Sequence, residues 1–545
     1  MSTNSQGWAN KACGFSGRTT HLAVTSMAIV ICLGSGRLLA QNTPAETQAE
    51  IALPAAISQL WGLSGELWNS KSRLPDFSYA GYRRGEVALP TDDALTKRPS
   101  QSVRQYGAVG DGITDDTHAF EAALHQAAGH VVEVPPGEYV ISRQLVIDQS
   151  ETVLRGCGPD QSRLLFKQPL NDIQPNWGAT TTGKRTSNYS WSGGFITLKG
   201  QFDSRPHCQV TEPAQRGGQR LVVSELAHLR VGELIRLQMS DEASQSLAQY
   251  LYQADPGPLE NLLSRASVTW TAAIVSLDHD ARTLTLDRPL TTDVRLAWQP
   301  RLYLASSSVE ESGVQGLAFR FPDLPYGGHV TELGFNAIAM SGVRNCWVRD
   351  ISIHNCDSGI FISGSQNTVQ NIAFTSERLE EPTRHATGHH GITLGGQDNL
   401  LTDFDLRTRF MHDLTVTRGS AGNVAMRGRG IDLCFDHHRY APHSNLFTEI
   451  DVGLGSRTFQ SGGGAALGRH SAAWTTFWGI ASQQPLKWPE GWSPDQINLV
   501  GIETESDAIL HSNGRWLEPI APSRLQPRNL YWAQLQRRLS QPKTP

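Results

Sequence analysis

Two segments of this chain, Asn399-Leu-Leu-Thr-Asp-Phe-Asp405 and Asn445-Leu-Phe-Thr-Glu-Ile-Asp451, match position for position at an offset of 46. A unit that recurs at such spacing cannot bury its apolar face alone; it must stack on its neighbours, which makes the chain a solenoid. Asn345, Asn367, Asn399, Asn423 and Asn445 each introduce an apolar stretch, and their positions differ by 22, 32, 24 and 22 in turn. Two turns with a period of about 23 therefore account for the offset of 46. The long interval contains residues 377–389, read as an inserted loop. Asparagine tolerates left-handed backbone and bonds to asparagine in the next coil, so these residues are expected to line a bend.

The 51 glycines and 28 prolines provide the turns an all-β chain needs. Upstream of the repeat, Tyr106-Gly107-Ala108-Val109-Gly110-Asp111-Gly112 leads into Thr114-Asp115-Asp116-Thr117. Asp115 or Asp116 can cap a helix running to about Ala128, with Phe120, Leu124 and Ala127 on one face. A strand over Val131–Val134, the turn Pro135-Pro136-Gly137 and a second strand over Tyr139–Ser142 follow. This stretch, residues 103–166, resembles the opening of the pectate-lyase-like superfamily, with its rhamnogalacturonase-like, epimerase-like and phage tailspike members. The resemblance implies an all-β, single-stranded right-handed parallel β-helix, a pectin-lyase-like solenoid, in which the short helix caps the open end. It also implies carbohydrate-active chemistry.

The expected organisation is a signal peptide over 1–40, a lead-in over 41–100, the β-helix over 101–515 and a C-terminal cap or tail over 516–545. Lys11 and Arg18 precede the apolar run Leu22–Leu33, and Leu38-Leu39-Ala40 offers a cleavage site. A secreted or periplasmic protein, without stable membrane insertion after cleavage, is the consequence. An insertion over about 202–305 breaks the repeat, with strands expected at Val222–Arg230, Leu234–Met239, Ala272–Leu277 and Thr283–Leu286, and partial helix between Asp241 and Leu263. Five cysteines remain after cleavage, odd in number and irregularly spaced, so neither a disulfide framework nor a zinc site is signalled. With 47 Lys plus Arg against 52 Asp plus Glu, no global basic field points to nucleic acid. A monomer is expected.

Three titratable clusters recur on the same spacing: His389-His390, His412-Asp413 and Asp436-His437-His438-Arg439. Coils of a parallel stack lie about 4.8 Å apart, so outward side chains at matching positions stand roughly 5 Å apart. Stepping by 23 puts His390, Asp413 and Asp436 in one column and His389, His412 and Phe435 in the next. Strand alternation would leave about half of them in a shared cleft. Candidate catalytic residues are His390, His412, Asp413, Asp436, His437, His438 and Arg439; candidate substrate-binding residues are His389, Arg409, Arg457 and Trp474. Trp478, Trp488 and Trp492 are further aromatic platforms or core. Ser461-Gly462-Gly463-Gly464 is a bend that permits close approach, since no Lys-Ser/Thr follows.

An extended polysaccharide suits such a groove. In a lyase on a uronate polymer, a cation (Arg439 or Arg457) neutralises the carboxylate, and histidines act as base and acid. In a glycoside hydrolase, Asp413 and Asp436 would flank the bond, roughly 5 Å apart for retention or roughly 6.5–9.5 Å for inversion. The His- and Arg-containing composition favours elimination on an acidic glycan. A non-catalytic glycan-binding or adhesion protein is the remaining reading. No metal site is assigned and no cofactor is certain; a divalent cation such as calcium stays open, with Asp403 and Asp405 as its candidate ligands.

Overall fold

The computed structural model describes residues 55–541 apart from 181, 254, 263–265, 465, 489–495 and 505–513. The expected signal segment, the start of the lead-in and Trp492 lie outside the described residues. The described residues belong to one compact unit, residues 55–545.

The architecture is all-β and largely parallel, with the coiled stacking of β-solenoids. One parallel sheet has seven strands: β1 (Leu145–Ile147), β2 (Ile196–Lys199), β3 (Asn336–Arg344), β4 (Ser358–Ser365), β5 (Gly388–Leu394), β6 (Phe410–Val416) and β7 (Phe435–His437). The other parallel sheet has 15 strands, among them Trp347–His354, Thr368–Thr375, Leu400–Leu406, Val424–Gly430 and Leu446–Asp451. The chain alternates between the two, so each coil adds one strand to each sheet. The segments at 399 and 445 are two coils apart, since Leu400 pairs with Val424 and Val424 with Leu446.

Two features of the backbone shape the coils from Gly313 onward. Two positions before each strand of the larger sheet from Gly313 onward, the chain takes a positive φ, at Glu311, Asn345, Gln366, Asp398, Gly422, Ser444, Trp474, Gln496 and Gly514. A second such column, Gly316, Asp350, Asn371, Asp403, Arg427, Glu449, Gly479 and Gly501, falls within the strands or at their ends. That bend shifts the side-chain phase by one, which is why Val348, Ile351 and Ile353 all reach the core. The larger sheet is thereby folded into two faces.

The asparagines behave differently from the expectation. The left-handed residue is the one before each ladder asparagine. Asn367, Asn399, Asn423 and Asn445 are themselves buried and form the ladder. The backbone N–H and side-chain Nδ2 of Asn399 both donate to Asn423 Oδ1, at 2.9 and 3.0 Å, and Asn423 does the same to Asn445 at 3.2 and 3.1 Å. Asn345 is not a member: Cys346 holds the ladder position and donates its N–H to Asn367 Oδ1 at 2.9 Å.

The interior is a continuous apolar column closed by helix α1 (Thr117–His125), whose Phe120, Ala123 and Leu124 join it. Asp115, not Asp116, bonds the first turn, accepting from Thr117 N at 3.0 Å; Asp116 instead accepts from Val109 and Gly110. Residues 208–304 form a six-stranded antiparallel sheet with helix α2 (Ser246–Tyr252). The strand expected at Val222–Arg230 lies instead at Arg220–Val222, sharing only Val222 with the expectation, whereas Thr283–Leu286 is as read. Buried Arg288 from this sheet grips Asp398 of the solenoid with two bonds of 2.7 and 2.9 Å. Helix α3 (Leu530–Ser540) and the lead-in, through Trp61, Leu74 and Phe77, pack together over the larger sheet. Cys208, Cys346, Cys356 and Cys434 are buried free thiols. No helix among the described residues is long and apolar enough to cross a membrane.

Candidate active site

The histidine clusters do converge, in a register other than the one their spacing suggested. His390 pairs with His412, not Asp413, and Thr415, not Asp413, pairs with Asp436. The register steps here from 390 to 412 and from 415 to 436, both shorter than a uniform 23, and the columns slip accordingly. The rings of His390 and His412 stack at 5.0 Å, and His438 stands edge-on to His412 at 5.1 Å. His389 and His390 both line the cavity, their rings 4.1 Å apart, so strict alternation fails at the start of β5.

These rings form part of the wall of a cavity of about 1010 Å³, between the seven-stranded sheet and the inserted sheet. Its histidine and cationic lining consists of His329, His389, His390, His412 and His438 with Lys184, Arg236, Arg384 and Arg418; among the described residues no aspartate or glutamate lines it. Phe361, Trp191 and Phe202 add aromatic surface.

Beneath the rings lie two buried carboxylates. Asp436 Oδ2 sits 2.8 Å from His438 Nδ1 and 3.2 Å from His412 Nδ1, and accepts from Thr415 Oγ1 at 3.2 Å. Its Oδ1 accepts from the Gly462 N–H at 2.7 Å. Burial raises the Asp436 pKa, but the charges of His412 and His438 and these bonds outweigh it and hold the group anionic, below the usual range. For His438 burial acts downward, yet Asp436 wins and the pKa is raised. His412 is held well below the usual histidine range, by burial first and then by neighbouring imidazoles, despite Asp436. His390 is likewise lowered, by burial and the charges of His389 and His412; its Nδ1 lies 3.4 Å from Thr415 Oγ1. The second carboxylate, Glu332, lies 3.4 Å from His389 Nδ1 and accepts from the Tyr326 hydroxyl. Burial would raise its pKa, but His389 and Tyr326 bring it down to about 2.

Several expected site residues lie elsewhere. Asp413 is buried off the cavity, accepting from Phe410 N at 2.9 Å and Cys434 N at 2.8 Å and paired with Arg457. That arrangement removes it from any carboxylate pair with Asp436 across a substrate. Arg457 is thereby committed, and Arg409 pairs with Asp432 at 3.0 Å. Arg439 donates to Gly468 O and faces His470. His437 points into the core beside Phe447 and Phe477, where burial brings its pKa down to about 4. Trp474 is buried against Tyr250 and Arg216 and offers no platform; Trp478 is core, and Trp488 packs on Phe459. Gly462 shows the close approach read into the glycine run, because a Cβ there would lie 2.8 Å from Cε1 of both His412 and His438.

His329, Glu332, Arg384 and Arg418 escape the sequence reading. They sit on connections outside the repeating strands; only the short interval between His329 and Glu332 in a glycine-containing stretch marks two of them. The cavity suits calcium poorly, since that ion is held chiefly by carboxylates and among the described residues the lining has none, while it carries four cationic side chains. Asp403 and Asp405 are engaged elsewhere, with Arg427 at 2.6 Å and Arg429 at 2.8 Å.

Residues 100–174 match the family model described as rhamnogalacturonase A/epimerase, pectate lyase-like. A pre-neck appendage protein of Bacillus phage B103 is 39% identical over 120 residues, which is 21% of this chain and 14% of that protein. An alginate lyase of Azotobacter vinelandii is 30% identical over 112 residues, 19% of this chain and 13% of the enzyme. The chain thus spans a small part of these relatives' lengths. Among solved structures, the tailspike protein gp49 of Pseudomonas phage LKA1 covers 73% of this chain and 66% of its own, at 12% identity and a TM-score of 0.47.

Proposed function

We propose that this chain is an exported, monomeric enzyme that cleaves a uronate-containing polysaccharide by β-elimination. The observation that carries the reading is the lining of the cavity: five imidazoles and four cationic side chains, with no carboxylate among the described residues. A surface of that charge selects an anionic ligand. Hydrolysis across two flanking carboxylates finds no pair of carboxylates here.

In this reading the uronate carboxylate lies against Arg384 and Arg418, which withdraw its charge and acidify the proton at C5. His390, neutral and backed by Thr415, takes that proton. The C5–H electrons form the C4–C5 double bond, the C4–O4 bond breaks, and His438, whose protonated form Asp436 favours, protonates the departing O4. Paired groups whose environments drive their pKa values apart suit an acid and a base. We also take the solenoid to be a single-stranded, right-handed parallel β-helix, the hand that parallel crossovers strongly favour.

The local likeness to an alginate lyase puts polyuronates first among substrates to try. Incubation with acidic and neutral polysaccharides should give ultraviolet-absorbing unsaturated ends on an acidic polymer only. New reducing ends without unsaturation would instead mean hydrolysis, and retained binding without product would mean a glycan-binding protein.

A further inference from the structure

We propose that His329, His389 and His412 form a site for a divalent transition-metal ion of the zinc class, with a further coordination position open to the cavity. The three rings each present one donor atom, and these atoms lie within 4.8 Å of one another. Zinc–imidazole bonds of about 2.0–2.1 Å in tetrahedral array need nitrogens about 3.4 Å apart. His329 comes from an exposed connection, which leaves it room to close on an ion, whereas His389 and His412 are borne by β5 and β6.

Two further observations point to a ligand. His389 is 2% exposed, and neither of its ring nitrogens has a hydrogen-bond partner. A buried polar nitrogen left unmatched is uncommon, and an ion is one of the few things that accounts for it. In addition, each strand-borne histidine has a buried carboxylate near its Nδ1: Asp436 lies 3.2 Å from His412, and Glu332 lies 3.4 Å from His389, an ion-pair distance short of a formed hydrogen bond. A carboxylate behind a histidine fixes the tautomer and aims the opposite nitrogen, which is how protein metal centres orient imidazole ligands. Neutral nitrogen donors suit zinc and its first-row neighbours and not calcium or magnesium.

A rival grouping, His412, Asp436 and His438, also brings its donor atoms within 4.8 Å. There the shared Asp436 oxygen already receives Thr415 and His438, and the carboxylate is fully buried, so an ion would have no open position. The metal would leave His390 and His438 free, and the proposal does not depend on the polysaccharide reading because metal can be counted with no substrate present.

The test uses the full chain, stripped with a chelator and titrated with Zn²⁺ and separately with Co²⁺. One equivalent of Zn²⁺ per chain, and visible d–d absorption of four-coordinate Co²⁺, are expected. His329→Ala, a change on an exposed connection, should lose both while the metal-free protein melts as before. Glu332→Gln should weaken affinity about 10- to 100-fold. His438→Gln should keep the stoichiometry. Absence of stoichiometric binding by the unmodified chain, or wild-type binding by His329→Ala, would overturn the proposal. So would loss of the ion in His438→Gln with retention in His329→Ala, which would move it to the rival group.

Discussion

The asparagine ladder and the histidine cluster are both stacks of buried polar side chains on successive coils, but they differ in how completely they are bonded. In the ladder the carbonyl oxygens of Asn399, Asn423 and Asn445 each take two donors from the coil before, and the amides go on to backbone carbonyls such as Gly364 O and Ser420 O. In the cluster His438 bonds Asp436 and His390 meets Thr415 on the inner side, His412 and His389 lie 3.2 and 3.4 Å from Asp436 and Glu332, and all four rings line a cavity. A closed network adds rigidity and specifies register; a half-open one holds bonding capacity for something not yet bound. Burial of polar groups alone therefore does not separate structure from chemistry, and neither does an unmatched nitrogen, since His443 Nε2 lacks a partner too; what separates them is whether the ring lines the cavity.

The largest effect expected on that contrast is at His438. His438→Ala should lower turnover on the acidic polymer by roughly 10²- to 10⁴-fold, the usual worth of a positioned proton donor. Its melting temperature should stay near that of the parent; a collapse of stability would place His438 with the ladder. Next comes His443, buried like the cluster but with no cavity, its Nδ1 on Ala441 O and its pKa brought down by burial to about 4. Above about pH 6.5 the group is neutral in both states. As pH falls from there toward 4 the unfolded chain takes up a proton that the folded chain refuses, so stability is lost over that window, roughly 3 kcal/mol from this residue. Urea unfolding at a series of pH values should show a shallower decline in His443→Gln, and an unchanged slope would refute the assignment. Asn423→Ala should cost about 1–3 kcal/mol for each buried partner left unmatched, with turnover per folded molecule unaltered. Smallest is Gly462→Ala, whose added methyl would displace the His412 and His438 rings and reduce kcat roughly tenfold at nearly constant KM.

How much of this is legible depends on periodicity. Helix α1, the strand Val131–Val134 and the two-coil offset from Asn399 to Asn445 follow from patterns that backbone geometry imposes on every turn. The left-handed column is misplaced by one position when read from the asparagines, because its occupants (Glu311, Gln366, Asp398, Ser444, Trp474) share a conformation and no chemistry. A uniform coil length then slips Asp413 into the site and passes over Thr415. The spacing finds His389, His390, His412 and His438, since they ride on the strands or directly follow one. It does not find His329, Arg384 or Arg418, because connections between strands obey no period and only the folded coil brings them to the same cavity.

The Arg288–Asp398 pair has a consequence for how a ligand is chosen. Arg288 belongs to the sheet that walls the cavity and Asp398 to a turn of the solenoid, and both are buried. Removing one partner of such a pair costs about 3–5 kcal/mol, so these two bonds anchor the wall to the solenoid at this point. A wall anchored before a ligand arrives has less entropy to lose on binding, and selection then rests on fit. Amide exchange across Thr269–Thr271 on that wall should accordingly be the same with ligand present and absent.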